Sequence, residues 1–462
     1  MDVNHILVIA MFLTFILLLF SGYPISFVLM GVAAQFTLVG YLSDLYLGTS
    51  TGVSYLYVGM VVNRIYKLMD NWVLVAIPMF IFMGLMLDRS GVAEKMMTSM
   101  QDLFGKVRGG LAVTITLIGV ILAASTGIIG ASVVLLGLLA IPTMLNQGYD
   151  KAFAVGTVAA SGTLGILIPP SIMLVIMADQ LGLSVGDLFM GAVFPGLILG
   201  TMYIAYILIF SLLRPDKAPL SETRPPLSIW VVWNVLKSAL PAILLILAVL
   251  GSIFAGIATV TEASGVGAMG AVILAATNRK LDFTVLREVV TGTFNVTGYI
   301  FGIFIGATCF ALVLRGLGGD QFIEAALSGI PFGSYGIILV ILGFVFLLGF
   351  FLDWIEITLI ILPLLSPVIG DLTIGVPDYG VIDQPVLIWF LVLVAVALQT
   401  SFLTPPVGFA IFYLKGVVPK EVQLIHIYKG VIPFIILQLI GLAIIVKWPQ
   451  LVLWLPSVAY GK

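Results

Sequence analysis

Charged residues are scarce in this chain of 462 residues. Asp, Glu, Lys and Arg together make up 9% of it, whereas hydrophobic residues make up 61%. An ordinary soluble domain carries about 25% charged residues, and no soluble fold could cover so much apolar surface. The net charge of −2 is too small to indicate nucleic acid as a partner. The composition therefore indicates a membrane protein.

Other chemical groups are also missing or nearly so. Cys309 is the single cysteine, which excludes a disulfide framework or a cysteine metal cluster within the chain. The two histidines, His5 and His426, are expected at the membrane interface, so no Ser–His pair of an intramembrane hydrolase is indicated. A Gly-rich phosphate loop followed by Lys-Ser/Thr does not occur. These absences argue against an enzyme or a primary pump and favour a gradient as the energy source.

Long apolar runs, by contrast, recur along the chain. A membrane-spanning helix needs about 20 apolar residues, and many charge-free stretches approach or exceed that length. The turn at residues 21–24 divides the first stretch into two predicted helices, at about 5–21 and 25–41. No basic region or cleavage site of a secretory signal precedes them, so the first run is predicted to be a permanent helix. The amphipathic segment 42–70 is predicted to lie at the membrane surface.

The distribution of Lys and Arg predicts the topology. When each apolar run is counted as a crossing or a return, most of the 20 basic residues fall on one side of the membrane. The positive-inside rule assigns that side to the cytoplasm. Both termini are then predicted to be periplasmic.

Two stretches share an unusual pattern. Residues 162–171 (GTLGILIPPS) and 399–408 (QTSFLTPPVG) each place a Pro-Pro pair near small hydroxylated residues within an apolar run. Proline interrupts helix hydrogen bonding and frees carbonyl oxygens. Each stretch follows a long apolar segment with small or polar residues at its centre, at 124–132 and 349–356, which is typical of a re-entrant hairpin tip. A single break is often only a kink, but two matched copies favour a function.

The loop charges give the two hairpins opposite orientations. The first, at about 109–143, is predicted to open to the cytoplasm, and the second, at about 335–370, to the periplasm. Inverted repeats with broken helices are the recurring plan of secondary transporters. The predicted fold is an all-α polytopic membrane protein with about ten transmembrane helices plus these two oppositely oriented re-entrant hairpins.

The same pattern predicts the domain organisation. Each inverted repeat contains one hairpin and one broken helix, and a proline-rich cytoplasmic connector joins the repeats. The first repeat is predicted at 1–213 with its broken helix at about 150–180, the connector at 214–237, and the second repeat at 238–462 with its broken helix at about 386–414.

With these features in order along the chain, the sequence resembles the large membrane subunit of tripartite ATP-independent periplasmic (TRAP) transporters. The resemblance also rests on residues 74–84 (LVAIPMFIFMG), 261–263 (TEA), Pro363 and Pro367, and it covers nearly the whole chain. It implies a Na⁺-coupled, elevator-type secondary transporter in a bacterial or archaeal inner membrane. The cargo would be a small organic anion such as a C4-dicarboxylate-like acid. The implied partners are a small four-helix membrane subunit, a periplasmic substrate-binding protein and membrane lipid.

The resemblance further implies two or more Na⁺ ions, bound where each hairpin tip meets its broken helix. Hard cations prefer oxygen ligands, and kinked segments supply carbonyls and hydroxyls. It leaves the substrate-binding residues unknown. The implied Na⁺ ligands are Ser125, Thr126, Gly130, Gly162, Thr163, Gly165 and Pro169 at the first site, and Gly349, Asp353, Thr400, Thr404 and Pro406 at the second.

Two carboxylates interrupt the apolar second hairpin. Insertion of an Asp at membrane depth costs at least about 2.5 kcal/mol, so Asp353 is predicted to bind or tune a cation, the alternative being a helix cap. Glu356 either shares that role or faces water. The alternative function is an uncoupled channel or facilitator for small organic anions, because broken helices also build selectivity filters. Such a protein would conduct without Na⁺ dependence.

Overall fold

The computed structural model describes residues 3–126, 129–220, 228–377 and 379–460, and helices are the only regular secondary structure in these ranges. The all-α prediction is confirmed. The helices of the first half are α1 (Val3–Leu19), α2 (Ile25–Tyr46), α3 (Tyr55–Met69), α4 (Ala76–Arg89), α5 (Val92–Phe104), α6 (Gly110–Thr126), α7 (Ile129–Asn146), α8 (Lys151–Thr163), α9 (Ile172–Leu181) and α10 (Val185–Leu213).

The second half is helical in the same way. Its helices are α11 (Ile229–Phe254), α12 (Val260–Thr277), α13 (Phe283–Gly316), α14 (Gly319–Ser328), α15 (Gly333–Leu348), α16 (Trp354–Glu356), α17 (Leu362–Gly370), α18 (Pro385–Leu403), α19 (Phe409–Val417), α20 (Leu424–Lys447) and α21 (Gln450–Tyr460). Short 3₁₀ turns precede α4 and follow α8, and a π-helical turn joins α16 to α17.

Nine helices in the described ranges are long and apolar enough to cross a membrane. α1, with 17 residues, falls just short of that length. The chain is a multi-pass membrane protein. Its nine candidate spans in the described ranges are close in number to the ten that the sequence predicted.

Both predicted Pro-Pro stretches interrupt a helix. α8 ends at Thr163 and α9 begins at Ile172, while α18 ends at Leu403 and α19 begins at Phe409. The bonds Pro169-Pro170 and Pro405-Pro406 are both cis. The division into two inverted repeats stays a prediction.

Two helices extend beyond the predicted boundaries. α2 continues to Tyr46, into the segment predicted at the surface, and Asp44 near its end accepts hydrogen bonds from the N–H groups of Thr51 and Gly52. α11 begins within the predicted connector, because Ser228 caps its first turn by accepting from the N–H of Trp230. Local capping thus shortens both loops.

A glycine contact joins the two halves of the chain. α8 and α20 cross where Gly156 meets Gly430, so closely that a Cβ atom at either position would overlap the backbone of the other helix. Only glycine permits this approach. The crossing places the first broken helix directly against a helix of the second half.

We predict that Gly430→Ala destabilises the protein. The added methyl group would overlap the carbonyl oxygen of Ala152, and overpacking of this kind costs about 1–3 kcal/mol. Thermal unfolding of the purified protein in detergent should show a lower Tm. Gly251→Ala, where a Cβ meets nothing within 4 Å, is the matched control, and an equal Tm in both variants would contradict the prediction.

Candidate functional site

The first hairpin packs directly on the first broken helix. Val133, on α7 just after the hairpin tip, lies against Gly162 in the last turn of α8. A Cβ atom at Gly162 would lie 2.6 Å from Cγ2 and 3.0 Å from Cα of Val133. The absent side chain lets the backbone of the hairpin approach the break.

Two hydroxyl groups at this break are buried and donate hydrogen bonds to backbone carbonyls of the same segment. Thr163 donates to the carbonyl oxygen of Ala160 over 2.9 Å, and Ser171 donates to that of Ile166 over 2.6 Å. Both side chains are fully buried. A hydroxyl that donates its hydrogen keeps two lone pairs, so these oxygens are available to accept a hydrogen or coordinate a cation.

The second hairpin meets the second broken helix in a similar way. Gly349, at the end of α15, lies against Ser401 in the last turn of α18, and a Cβ atom at Gly349 would overlap the Ser401 hydroxyl oxygen. Thr400 donates to the carbonyl oxygen of Val396, and Thr404 donates to that of Thr400, both over 2.7 Å. Like the first junction, this one has a close contact at a glycine and hydroxyl groups that donate their hydrogens to backbone carbonyls.

The carbonyl of Pro406 has a partner within the protein. The hydroxyl of Tyr428, on α20, donates to it over 3.0 Å. A carbonyl oxygen has two lone pairs, so one remains for a cation. The hydrogen bond from Tyr428 therefore links α20 to the backbone of the second break.

Two carboxylates of the second hairpin and two phenols from other helices form a cluster. Asp353 and Glu356, on the second hairpin, lie within electrostatic range of Tyr299 on α13 and Tyr413 on α19. The ring of Tyr413 also packs against Gly130 beside the first hairpin tip, where a Cβ would lie 3.2 Å from its Cζ. The cluster thus joins both hairpins to α13 and α19.

The two carboxylates of this cluster differ in their hydrogen bonding. Asp353 caps α16, because it accepts from the N–H of Trp354 over 2.8 Å. Glu356 is fully buried, and among the described residues neither of its oxygens receives a hydrogen bond of normal geometry. Burial contradicts the reading of Glu356 as a water-facing residue.

The structure brings the implied ligands together only in part. Gly162 and Thr163 meet the first hairpin, and Gly349 meets α18 one residue from Thr400, whereas Asp353 lies with Glu356 and the tyrosines. Gly165 lies in the 3₁₀ turn after α8, and Pro169 in the break itself. Ser125 and Thr126 end α6 beside the hairpin tip, and their side chains lie outside the described residues.

Sequence reasoning missed several residues of these junctions. Ser401, Tyr299, Tyr413 and Tyr428 make contacts that depend on helices far apart in the chain. The signal in the sequence was present but weak, since each is a polar group within or beside an apolar run. Which run it would face could not be read from the pattern.

The family "Tripartite ATP-independent periplasmic transporter, DctM component" matches residues 12–451. The chain belongs to this family. The predicted resemblance is confirmed over nearly its whole length.

Among proteins similar to this DctM-family chain is the C4-dicarboxylate TRAP transporter large permease protein DctM of Pseudomonas aeruginosa. It is 30% identical over 85% of this chain and 88% of that protein. The isethionate TRAP transporter permease protein DctMQ of Oleidesulfovibrio alaskensis is 28% identical over 92% of this chain and 65% of that protein. These relatives are permeases, so the chain is a TRAP-type large permease and not an enzyme.

A solved structure of similar fold is that of the YdaH transporter from Alcanivorax borkumensis. The TM-score is 0.55 at 13% identity, over 85% of this chain and 87% of that one. At this identity the likeness concerns the fold of the DctM-family chain alone.

We predict that Gly349→Ala abolishes most transport activity, because its methyl group would displace Ser401 and shift the end of α18. Substrate uptake and the amount of protein in the membrane should be measured together. The double variant Gly349→Ala/Ser401→Gly, which restores space, should recover part of the uptake. Gly343→Ala on the same helix, where a Cβ meets nothing within 4 Å, is the control. Full activity of Gly349→Ala would show that this contact is dispensable.

Proposed function

We propose that this protein imports a small organic anion across the cytoplasmic membrane in symport with Na⁺. The observation that carries the proposal is the pair of matched junctions, at Gly162 and at Gly349. At each, a hairpin packs on an interrupted helix at a glycine, beside oxygen atoms inside an apolar protein. Broken helices that present carbonyls and hydroxyls near the membrane midplane bind substrate and cations in secondary transporters.

The oxygen atoms at these junctions suit Na⁺. A hard cation takes oxygen ligands, and the hydroxyls of Thr163, Thr400 and Thr404 donate their hydrogens to helix carbonyls. Their lone pairs are therefore not committed to another donor. Asp353 supplies negative charge elsewhere on the second hairpin, where it can offset the charge of a cation.

The names of the relatives support a small organic anion as cargo. C4-dicarboxylates and isethionate are both small anions, one class with carboxylates and the other with a sulfonate. A separate periplasmic binding protein that delivers the anion, and a small four-helix membrane subunit beside the large one, complete the proposed transporter. The proposal leaves the choice of anion to the binding protein.

The ion pairs support the proposed topology. Every ion pair among the described residues joins segments that the distribution of Lys and Arg places on the same side of the membrane. The cytoplasmic pairs are Arg89–Glu288, Lys151–Glu421, Lys217–Asp150 and Lys280–Glu94, and the periplasmic pair is Arg315–Asp320. Both termini are then periplasmic.

The same contacts support an elevator movement as the proposed mechanism. The glycine junctions tie each hairpin to its broken helix, and the Gly156–Gly430 crossing ties α8 to α20. These elements would move as one body, because the contacts are close: a Cβ atom would meet backbone at Gly162 and Gly430 and the Ser401 side chain at Gly349. The remaining helices would form the scaffold.

We predict that uptake depends on a Na⁺ gradient. Proteoliposomes with the large permease, its small membrane subunit and the binding protein should accumulate the anion only when Na⁺ is higher outside. Replacing external Na⁺ by K⁺ should reduce accumulation to the background of empty liposomes. Uptake that is equal in Na⁺ and K⁺ would identify an uncoupled facilitator instead.

We predict that Thr404→Val weakens Na⁺ activation of uptake. Loss of one oxygen that contacts a charged group costs about 1.5–3 kcal/mol, which raises the half-saturating Na⁺ concentration about tenfold or more. Thr404→Ser should stay near wild type. Thr143→Val is the matched control, because Thr143 also donates to the carbonyl four residues earlier, that of Leu139 over 2.9 Å, but lies outside both junctions. An unchanged Na⁺ response in Thr404→Val would remove Thr404 from the site.

A further inference from the structure

A group of three polar side chains lies in the apolar core, and none of the three is among the proposed ligands. Tyr203 on α10, Gln399 on α18 and Gln438 on α20 have no exposed surface. The amide of Gln438 donates to the Tyr203 hydroxyl oxygen over 2.7 Å, and the amide of Gln399 donates to the same oxygen over 3.4 Å. We call these three residues the Tyr203 triad. It connects a helix of the first half of the chain to two of the second.

The triad is a costly way to fill this space. Among the described residues, the amide oxygens of Gln399 and Gln438 have no hydrogen-bond partner. Apolar side chains of similar volume would pack here without leaving polar atoms unpaired. A buried polar network of this kind contributes a defined arrangement of the helices rather than stability.

The triad contacts one side of α18, and the second hairpin contacts the opposite side. Gln399 and Ser401 are two residues apart, so they project about 200° apart around the helix axis. Gln399 contacts Tyr203, while Ser401 fills the space left by the missing side chain of Gly349. Thr400 lies between them in the chain. Contacts on both sides therefore fix the rotation of the turn that carries Thr400.

We infer that the Tyr203 triad is a positioning device for the second Na⁺ site. Through Gln399 it sets the rotation of the end of α18, and thus where the oxygens of Thr400 and Thr404 lie relative to the second hairpin. The inference rests on the proposed Na⁺ coupling and adds residues that contact neither the cation nor the substrate. Loss of the triad would weaken Na⁺ activation without removing a ligand.

Tyr206 provides a matched control for Tyr203. Both tyrosines lie on α10 and place their rings edge-on against Phe434, with centroids 5.1 Å and 5.2 Å away. The Tyr206 hydroxyl, however, forms no hydrogen bond with any residue that the structure describes. Tyr203→Phe and Tyr206→Phe thus make the same chemical change one turn apart, and only the first removes the centre of the triad.

The experiment measures Na⁺ activation of uptake in proteoliposomes that contain the complete transporter, together with the Tm of each variant. Tyr203→Phe should raise the half-saturating Na⁺ concentration about fivefold, while its maximal rate at saturating Na⁺ stays close to that of Tyr206→Phe. Gln438→Leu should also raise the half-saturating Na⁺ concentration. This variant provides an independent test if Tyr203→Phe yields little protein.

Two results would overturn the inference, and they differ from failure of the proposed function. Equal half-saturating Na⁺ for Tyr203→Phe and Tyr206→Phe would show that the triad does not act on the site. A lower Tm and maximal rate with unchanged Na⁺ activation would show a purely structural role. If wild-type uptake is independent of Na⁺, the proposed symport is wrong, and the inference that rests on it is wrong too.

Discussion

Backbone carbonyls and N–H groups that a Pro-Pro pair releases from helix bonding have no water to bind inside a bilayer. They must be satisfied within the protein and kept away from lipid. Burial of the first broken helix and of α18 meets this constraint, whereas Pro406 and Val407 in the second break are exposed and the Pro406 carbonyl accepts from the hydroxyl of Tyr428. In the hydrophobic window of α18, 94% of the residues are buried, against at most half in every other candidate span of the described ranges. α8 and α9 are also almost entirely enclosed. Other helices surround α8, α9 and α18, whereas α19 keeps an exposed face with Phe412.

Close enclosure of a helix by other helices requires short side chains at the contacts. Gly156, Gly162, Gly349 and Gly430 are positions where any Cβ atom would collide with a neighbouring helix. Buried threonines and serines then satisfy helix carbonyls from within the same segment. The hydroxyl oxygens of Thr163, Thr400 and Thr404 make such bonds and are also proposed to bind Na⁺, so the same groups would serve the structure and the site.

The pattern of Pro-Pro pairs and apolar runs predicted where the helices break, because proline acts on its own segment. The centre of the first predicted hairpin, at 127–128, lies outside the described residues. It also predicted the fold class, which depends on composition. The pattern did not predict which residues meet. The contacts of Gly349 with Ser401 and of Tyr428 with Pro406 depend on helix rotation and on which helices become neighbours. Asp353 illustrates the limit, since its polarity marked the hairpin but its neighbours, Glu356, Tyr299 and Tyr413, come from three elements.

Few charged residues lie inside this protein. The charged residues fall into two groups, those in ion pairs and the two carboxylates of the second hairpin. Ion pairs join partly exposed side chains near helix ends and in loops, where they contribute little to stability, and both partners of each pair lie in segments predicted on the same side of the membrane. Asp353 and Glu356 are different, since no described Lys or Arg forms an ion pair with either. Glu356 is fully buried, whereas Asp353 is half-buried. A buried carboxylate without a positive partner is strongly disfavoured in its charged form, and either a proton or a bound cation relieves that cost. Under the proposed Na⁺ symport, cation binding at the hairpins would be a condition for moving the surrounding body through the membrane, which is the requirement for coupling one solute to another.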